Sequence, residues 1–161
     1  MTMDPIASPR APRMALYTPE ERVRRDATRW TLVQGLLAPF QFLVFVVSLA
    51  LVLWWLATGD LYGVATASVV IKTIVLYAIM ITGAIWEKEV FGRYLLAPAF
   101  FWEDMVSFGV LALHTLYLMA LFTGALGPGG LVALALLAYA AYVINAAQFV
   151  LKLRRARLEV A

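Results

Sequence analysis

Apolar residues along this chain come in long blocks rather than in narrow stripes. Four stretches, Gly35 to Thr58, Val64 to Trp86, Phe101 to Phe122 and Leu131 to Leu151, are dominated by them. Each is long enough for a helix to cross a bilayer, which takes about 20 such residues. The pattern predicts an all-α polytopic membrane protein whose four transmembrane helices form one small bundle. Before the first block, residues 1 to 16 are rich in proline and arginine, cannot bury a core and read as a disordered tail. Residues 17 to 157 then form a single domain, and 158 to 161 a short C-terminal tail. Nothing ahead of the first block resembles a cleavable signal, so that span is retained.

Local signals place the remaining elements. Thr18 is an N-cap candidate, Pro19 suits a first helical turn, and Glu20 and Glu21 complement a helix dipole. A helix is expected to start there and run toward the first span, where Pro39 is a candidate kink. Residues 87 to 104 read as an interfacial loop, with Trp86 and Trp102 as aromatic belt residues. The connection ending near Pro128, Gly129 and Gly130 is a tight turn.

Composition narrows the function classes. The chain has 161 residues, of which 63% are hydrophobic and 14% charged, far from the balance of a soluble domain. It has no cysteine, which excludes disulfides, thiolate catalysis and Cys-ligated metals, and its one histidine excludes a bis-histidine haem within the chain. All 13 Lys and Arg residues except Lys72 fall on one side of a four-span topology. By the positive-inside rule both termini and the central loop are cytoplasmic. The basic segments RVRRDATR and KLRRAR also suit anionic lipid.

Ionisable groups within hydrocarbon cost about 3 kcal/mol at a helix centre, so they face protein or water and mark where to look for chemistry. At 100° per residue, Glu103, Ser107 and His114 share a face with Tyr117 nearby, while Asp104 points to a neighbouring groove. Lys72 shares a stripe with Ser68, Gly83, Trp86 and Glu87. Asn145, Gln148 and Lys152 share another, and Gln34, Gln41 and Ser48 recur every seventh residue. Most of these lie in the cytoplasmic half, whereas Lys72 and His114 lie deeper, each about 12 Å from the outer helix ends. Every one also has a structural reading. The carboxylates at the span ends can pair with Lys88 and Arg93, Lys72 can snorkel or pair inside the bundle, and His114, Asn145, Gln148 and Gln41 can join helices. Residues alone thus give a carboxylate-rich pocket walled by aromatics and no substrate.

The segments YTPEERVRRDATRWTLVQG, IWEKEVFGRYLLAPAFFWED, LALHTLYL and AAYVINAAQFVLKLR resemble the small 3-vinyl bacteriochlorophyllide hydratase family of bacteriochlorophyll biosynthesis. The resemblance runs over about residues 16 to 157, and IWEKEVFGRYLLAPAFFWED is its most specific part. It implies addition of water to the 3-vinyl group of a chlorophyllide-type macrocycle, giving a 3-(1-hydroxyethyl) product. Under that chemistry Glu103 and Asp104 are the candidate acid/base pair, with Glu87 in reserve; as the two diverge on a helix, the alternative is that one of them acts with Glu87. Trp86, Trp102, Phe100 and Phe101 would flank the ring. Lys72 or Arg93 would bind the propionate, with Asn145 a further polar contact. His114 would either ligate the substrate's magnesium or hold the bundle together. No cofactor is required, since the magnesium belongs to the substrate. The partners implied are the tetrapyrrole, water, membrane lipid and neighbouring pigment enzymes, with no nucleic acid. The implied location is the bacterial inner membrane, cytoplasmic or intracytoplasmic photosynthetic. The alternatives are a non-catalytic pigment carrier or assembly factor and a small membrane transporter.

Overall fold

A computed structural model describes residues 16–158. Thr18 opens its first helix, α1 (Pro19–Ala27), with a reciprocal cap. The Thr18 hydroxyl accepts from the Glu21 backbone N–H at 3.2 Å, and the Glu21 carboxylate accepts from the Thr18 N–H at 2.8 Å. The helix expected to start here and run toward the first span ends at Ala27. Thr28 is extended there and its hydroxyl accepts from the Trp30 N–H at 3.3 Å, so one residue ends α1 and starts α2 (Arg29–Thr58). Pro39 lies inside α2, which stays helical from end to end.

The remaining elements are α3 (Tyr62–Phe91), α4 (Phe101–Thr123) and α5 (Pro128–Leu158), with no strand among the described residues. Helices α2 to α5 are each long and apolar enough to cross a membrane. They overrun the apolar blocks. The loop expected over 87 to 104 shrinks to 92–100, because Glu87–Phe91 continue α3 until Gly92 ends it with a φ of 81°. In the same way α5 begins at Pro128, so the two following glycines sit in its first turn rather than in a loop. The tail expected over 1 to 16 lies outside the described residues apart from Leu16, as do residues 159–161.

Helix α2 packs along α3, α4 along α5, and α1 lies against α3. A central layer of polar and aromatic side chains joins the two hairpins. Ser48 meets the Ser68 hydroxyl at 2.7 Å and the Tyr139 hydroxyl at 2.6 Å, and Phe45 packs against the rings of Tyr139 and Tyr142. Tyr77 meets Thr115 at 2.7 Å. Gln41, Ser48, Lys72, Thr73, Ser107 and His114 are buried, while Phe40, Val47, Trp54, Ile71, Phe122 and Ile144 face outward. A chain that turns its polar side chains inward and its large apolar ones outward matches a lipid environment, where interhelical hydrogen bonds and packing hold a bundle together.

Candidate functional site

Two of the three candidate carboxylates, Glu103 and Asp104, are adjacent in the first turn of α4, where negative charge complements the helix dipole. The third, Glu87, stands one turn before the end of α3. All three are buried. The 100° step between Glu103 and Asp104 sends them to different partners. Asp104 faces Glu87 across the gap between α4 and α3, close enough for the two carboxyl groups to interact. The connection 92–100 folds over this pair, and the Leu96 N–H donates to Asp104 Oδ2 at 2.7 Å and the Ala97 N–H to Glu87 Oε2 at 3.2 Å. Leu96 delivers its amide from a left-handed conformation, φ 59°, that costs a side-chain-bearing residue about 1 kcal/mol or more.

Glu103 turns toward α5 and forms a salt bridge with Lys152, which also donates to the Ala99 carbonyl and stands 5.2 Å from the centre of the Phe100 ring. Around it, the Asn145 amide donates to the Glu103 carbonyl at 2.9 Å, and the Ser107 hydroxyl is 2.8 Å from that carbonyl and 3.0 Å from Asn145 Oδ1. Asn145 thus fixes the α4 backbone beneath Glu103. Lys88 and Arg93, the cations nearest in sequence, do not take these carboxylates. Lys88 donates to the Gly92 carbonyl and Arg93 to that of Leu96.

The four candidate aromatics separate. Phe100 is fully enclosed, stacked on Phe149 at 5.9 Å and met edge-on by Trp86. Phe101 and Trp102 follow it in sequence but rotate outward, and Trp102 is 70% exposed. Lys72 and His114 meet deeper in the bundle, both 0% exposed. His114 Nδ1 faces the Val110 carbonyl at 2.8 Å and must donate to it, which leaves Nε2 to accept from Lys72 Nζ at 2.8 Å. Both ring nitrogens are therefore engaged, and Lys72 further stands 4.1 Å from the Tyr142 ring centre. The structure does not bring this pair together with the carboxylates.

Tyr17, which the sequence reading passed over, completes the aromatic cluster. It is buried, stacks on Phe91 at 5.8 Å and carries the Arg25 guanidinium 4.9 Å from its ring centre. Burial pushes its phenol up to about 12, against the pull of Arg25, so it presents a neutral hydroxyl. Arg24 ties α1 to the end of α3 through the Val90 carbonyl at 2.7 Å, and Thr28 hydrogen-bonds to Glu89. A cavity of about 450 Å³ opens between these elements and α5. Trp86 lines it and the three carboxylates do not.

A family profile described as 2-vinyl bacteriochlorophyllide hydratase matches residues 17–155. The chain is similar to a protein of that name from Cereibacter sphaeroides, 70% identical over 154 residues that span 95% of each chain. A second protein of that name, from Rhodobacter capsulatus, is 65% identical over 156 residues, covering 96% of this chain and 90% of that one. No solved structure matches the chain.

Proposed function

The chain belongs to the 2-vinyl bacteriochlorophyllide hydratase family and is a hydro-lyase of bacteriochlorophyll biosynthesis; we propose how its own residues add water to the vinyl group. The family's 2-vinyl and the 3-vinyl of the sequence resemblance name one ring substituent under two tetrapyrrole numbering conventions. The observation that carries the assignment of roles is that Glu87 and Asp104 are both buried and are held side by side by the Ala97 and Leu96 amides of one connection. Two carboxyl groups buried side by side cannot both carry a negative charge, so one of them keeps its proton. That pair is the acid.

The proton passes to the terminal vinyl carbon, forming a C–H bond as the π bond breaks, and the cation left beside the ring is delocalised into the macrocycle. The Leu96 and Ala97 amides stabilise the negative charge left on the pair, as preorganised backbone donors do. Water adds to the cation, and Glu103, held by Lys152, accepts the proton that the water releases and returns it toward the pair. The product is the 1-hydroxyethyl substituent. The reaction changes no overall oxidation state, so it calls for no redox cofactor, and the magnesium travels with the substrate.

The experiment is incubation of membranes holding the protein with a 3-vinyl chlorophyllide in oxygen-18 water. A blue-shifted red absorption band with one labelled oxygen in the product is expected. Pigment that co-purifies unchanged would instead make the protein a carrier.

The location that fits is the bacterial inner membrane, cytoplasmic or intracytoplasmic, with both termini and the carboxylate end in the cytoplasm. The one-sided placement of Lys and Arg supports this orientation. There a planar pigment with one carboxylate enters laterally from lipid, water enters from the cytosol, and neighbouring pigment enzymes can receive the product. Since the chain lacks cysteine, single substitutions report topology cleanly. Asp60→Cys should react with an impermeant maleimide on intact cells and Arg155→Cys only after lysis; the reverse pattern would invert the orientation.

A further inference from the structure

The carboxylates account for the chemistry, but nothing yet accounts for how the pigment is held by its own acid group. The two cations that the sequence offered for it are committed elsewhere. Lys72 is fully enclosed against His114, and Arg93 donates to the Leu96 carbonyl within the connection itself. The 450 Å³ cavity at the same end of the bundle has the complementary composition. Its volume falls in the usual range for small-molecule sites, about 300–1,000 Å³.

Its walls come from four helices or their flanks: Tyr17 and Arg25, Thr31 and Gln34, Trp86, and Arg157 near the end of α5. Trp86 is fixed as a plane. Its indole N–H donates to the Thr31 hydroxyl at 2.9 Å, and Thr31 in turn donates to the Arg25 carbonyl at 2.6 Å, so the indole has no donor left for a ligand. Phe91 and Phe100 meet it edge-on and hold it there. Of the two arginines, Arg25 is paired with Asp26 at 2.8 Å. Arg157 is exposed and forms no salt bridge among the described residues, which leaves the cavity one positive charge in excess. A second donor lies on α1, where the buried Arg22 Nε has no partner among the described residues, one helical turn before Arg25.

We propose that this cavity seats the carboxylate-bearing edge of the pigment, with the carboxylate on Arg157 and the flat ring lying along Trp86. The assignment rests on the hydratase reading for the identity of the ligand. It also places the ring beside the aromatic cluster, in which Trp86 meets Phe100 and the Phe100 ring centre stands 5.2 Å from Lys152, the partner of Glu103. A monocarboxylate with a broad apolar face is the chemistry that one guanidinium unpaired among the described residues and one fixed indole select. An anionic lipid headgroup offers the same charge, so the test must separate the two.

The test measures binding to the full-length protein in phosphatidylcholine nanodiscs by quenching of tryptophan fluorescence. The probes are a 3-vinyl chlorophyllide with its propionate free and the same pigment with that propionate methylated. Wild type is expected to bind the free acid about tenfold more tightly, the scale of one charge-assisted contact. Arg157→Gln should remove that preference while binding the ester as wild type does, and Arg157→Lys should restore part of it. In turnover the loss should fall on KM rather than kcat. Arg157 is exposed near a helix end, so the variant is expected to fold. An unchanged acid preference in Arg157→Gln, or no preference in wild type, overturns the proposal. So does loss of the preference when phosphatidylglycerol replaces phosphatidylcholine, which would make the cavity a lipid site. The same samples are scored for hydration. Wild type that hydrates the vinyl group yet fails the binding test keeps the hydratase mechanism and loses the seat, whereas wild type that does not hydrate it fails the mechanism itself.

Discussion

Asp104→Asn is expected to slow hydration about a thousandfold while leaving the bundle folded, within the 10²–10⁴ range that a positioned acid contributes. The substitution keeps the shape of the site. The new amide oxygen can still accept from the Leu96 N–H, and its NH₂ faces Glu87. What it removes is the second carboxyl, and with it the proton that two carboxyl groups share. Glu87→Gln should have the same effect for the same reason. The double variant should be little worse than either single one, because groups acting as a unit are non-additive. Single-turnover absorption with pigment binding measured alongside would check this. Near-normal turnover in either single variant, with pigment bound, would remove the pair as proton source.

The four spans were legible in the sequence because lipid asks for blocks of apolar residues, and blocks are visible without knowledge of packing. Their ends were less so. EKEVF carries charge, which reads as loop, yet at a membrane surface a charged segment can remain helical until a residue such as Gly92 turns the chain. The break at Thr28 depends on a side-chain cap, which sequence leaves as one option among several. In the site, the divergence of Glu103 from Asp104 followed from the helical step alone. Their partners did not. Pairing Asp104 with Glu87, and Glu103 with Lys152, requires the register in which α4 crosses α3 and α5, and no single helix encodes that. Lys152 was on the right stripe with Asn145 but had no stated partner. The equal depth of Lys72 and His114 was visible, whereas their contact needed both helices turned to face each other. Phe100, Phe101 and Trp102 looked alike as a run of aromatics. Rotation along the start of α4 buries the first and turns the other two outward.

Glu103→Gln separates base from acid within the same cluster. Its amide oxygen can still accept from Lys152, and the Asn145 and Ser107 contacts go to the Glu103 backbone carbonyl, so the substitution leaves them in place. Hydration is expected to fall at least about a hundredfold, the lower end for loss of a general base. Proton transfer to carbon, however, belongs to the Glu87–Asp104 pair and should survive. In deuterium oxide the Glu103→Gln protein is therefore expected to place deuterium on the terminal vinyl carbon of pigment that it fails to hydrate, as the proton goes on and comes off without water addition. Asp104→Asn should show neither exchange nor hydration. Mass spectrometry of recovered pigment reads both outcomes at once. If Glu103→Gln stops exchange together with hydration, Glu103 takes part in delivering the proton and the division of labour fails. If it hydrates at the wild-type rate, the salt bridge to Lys152 is structural and another group takes the proton from water.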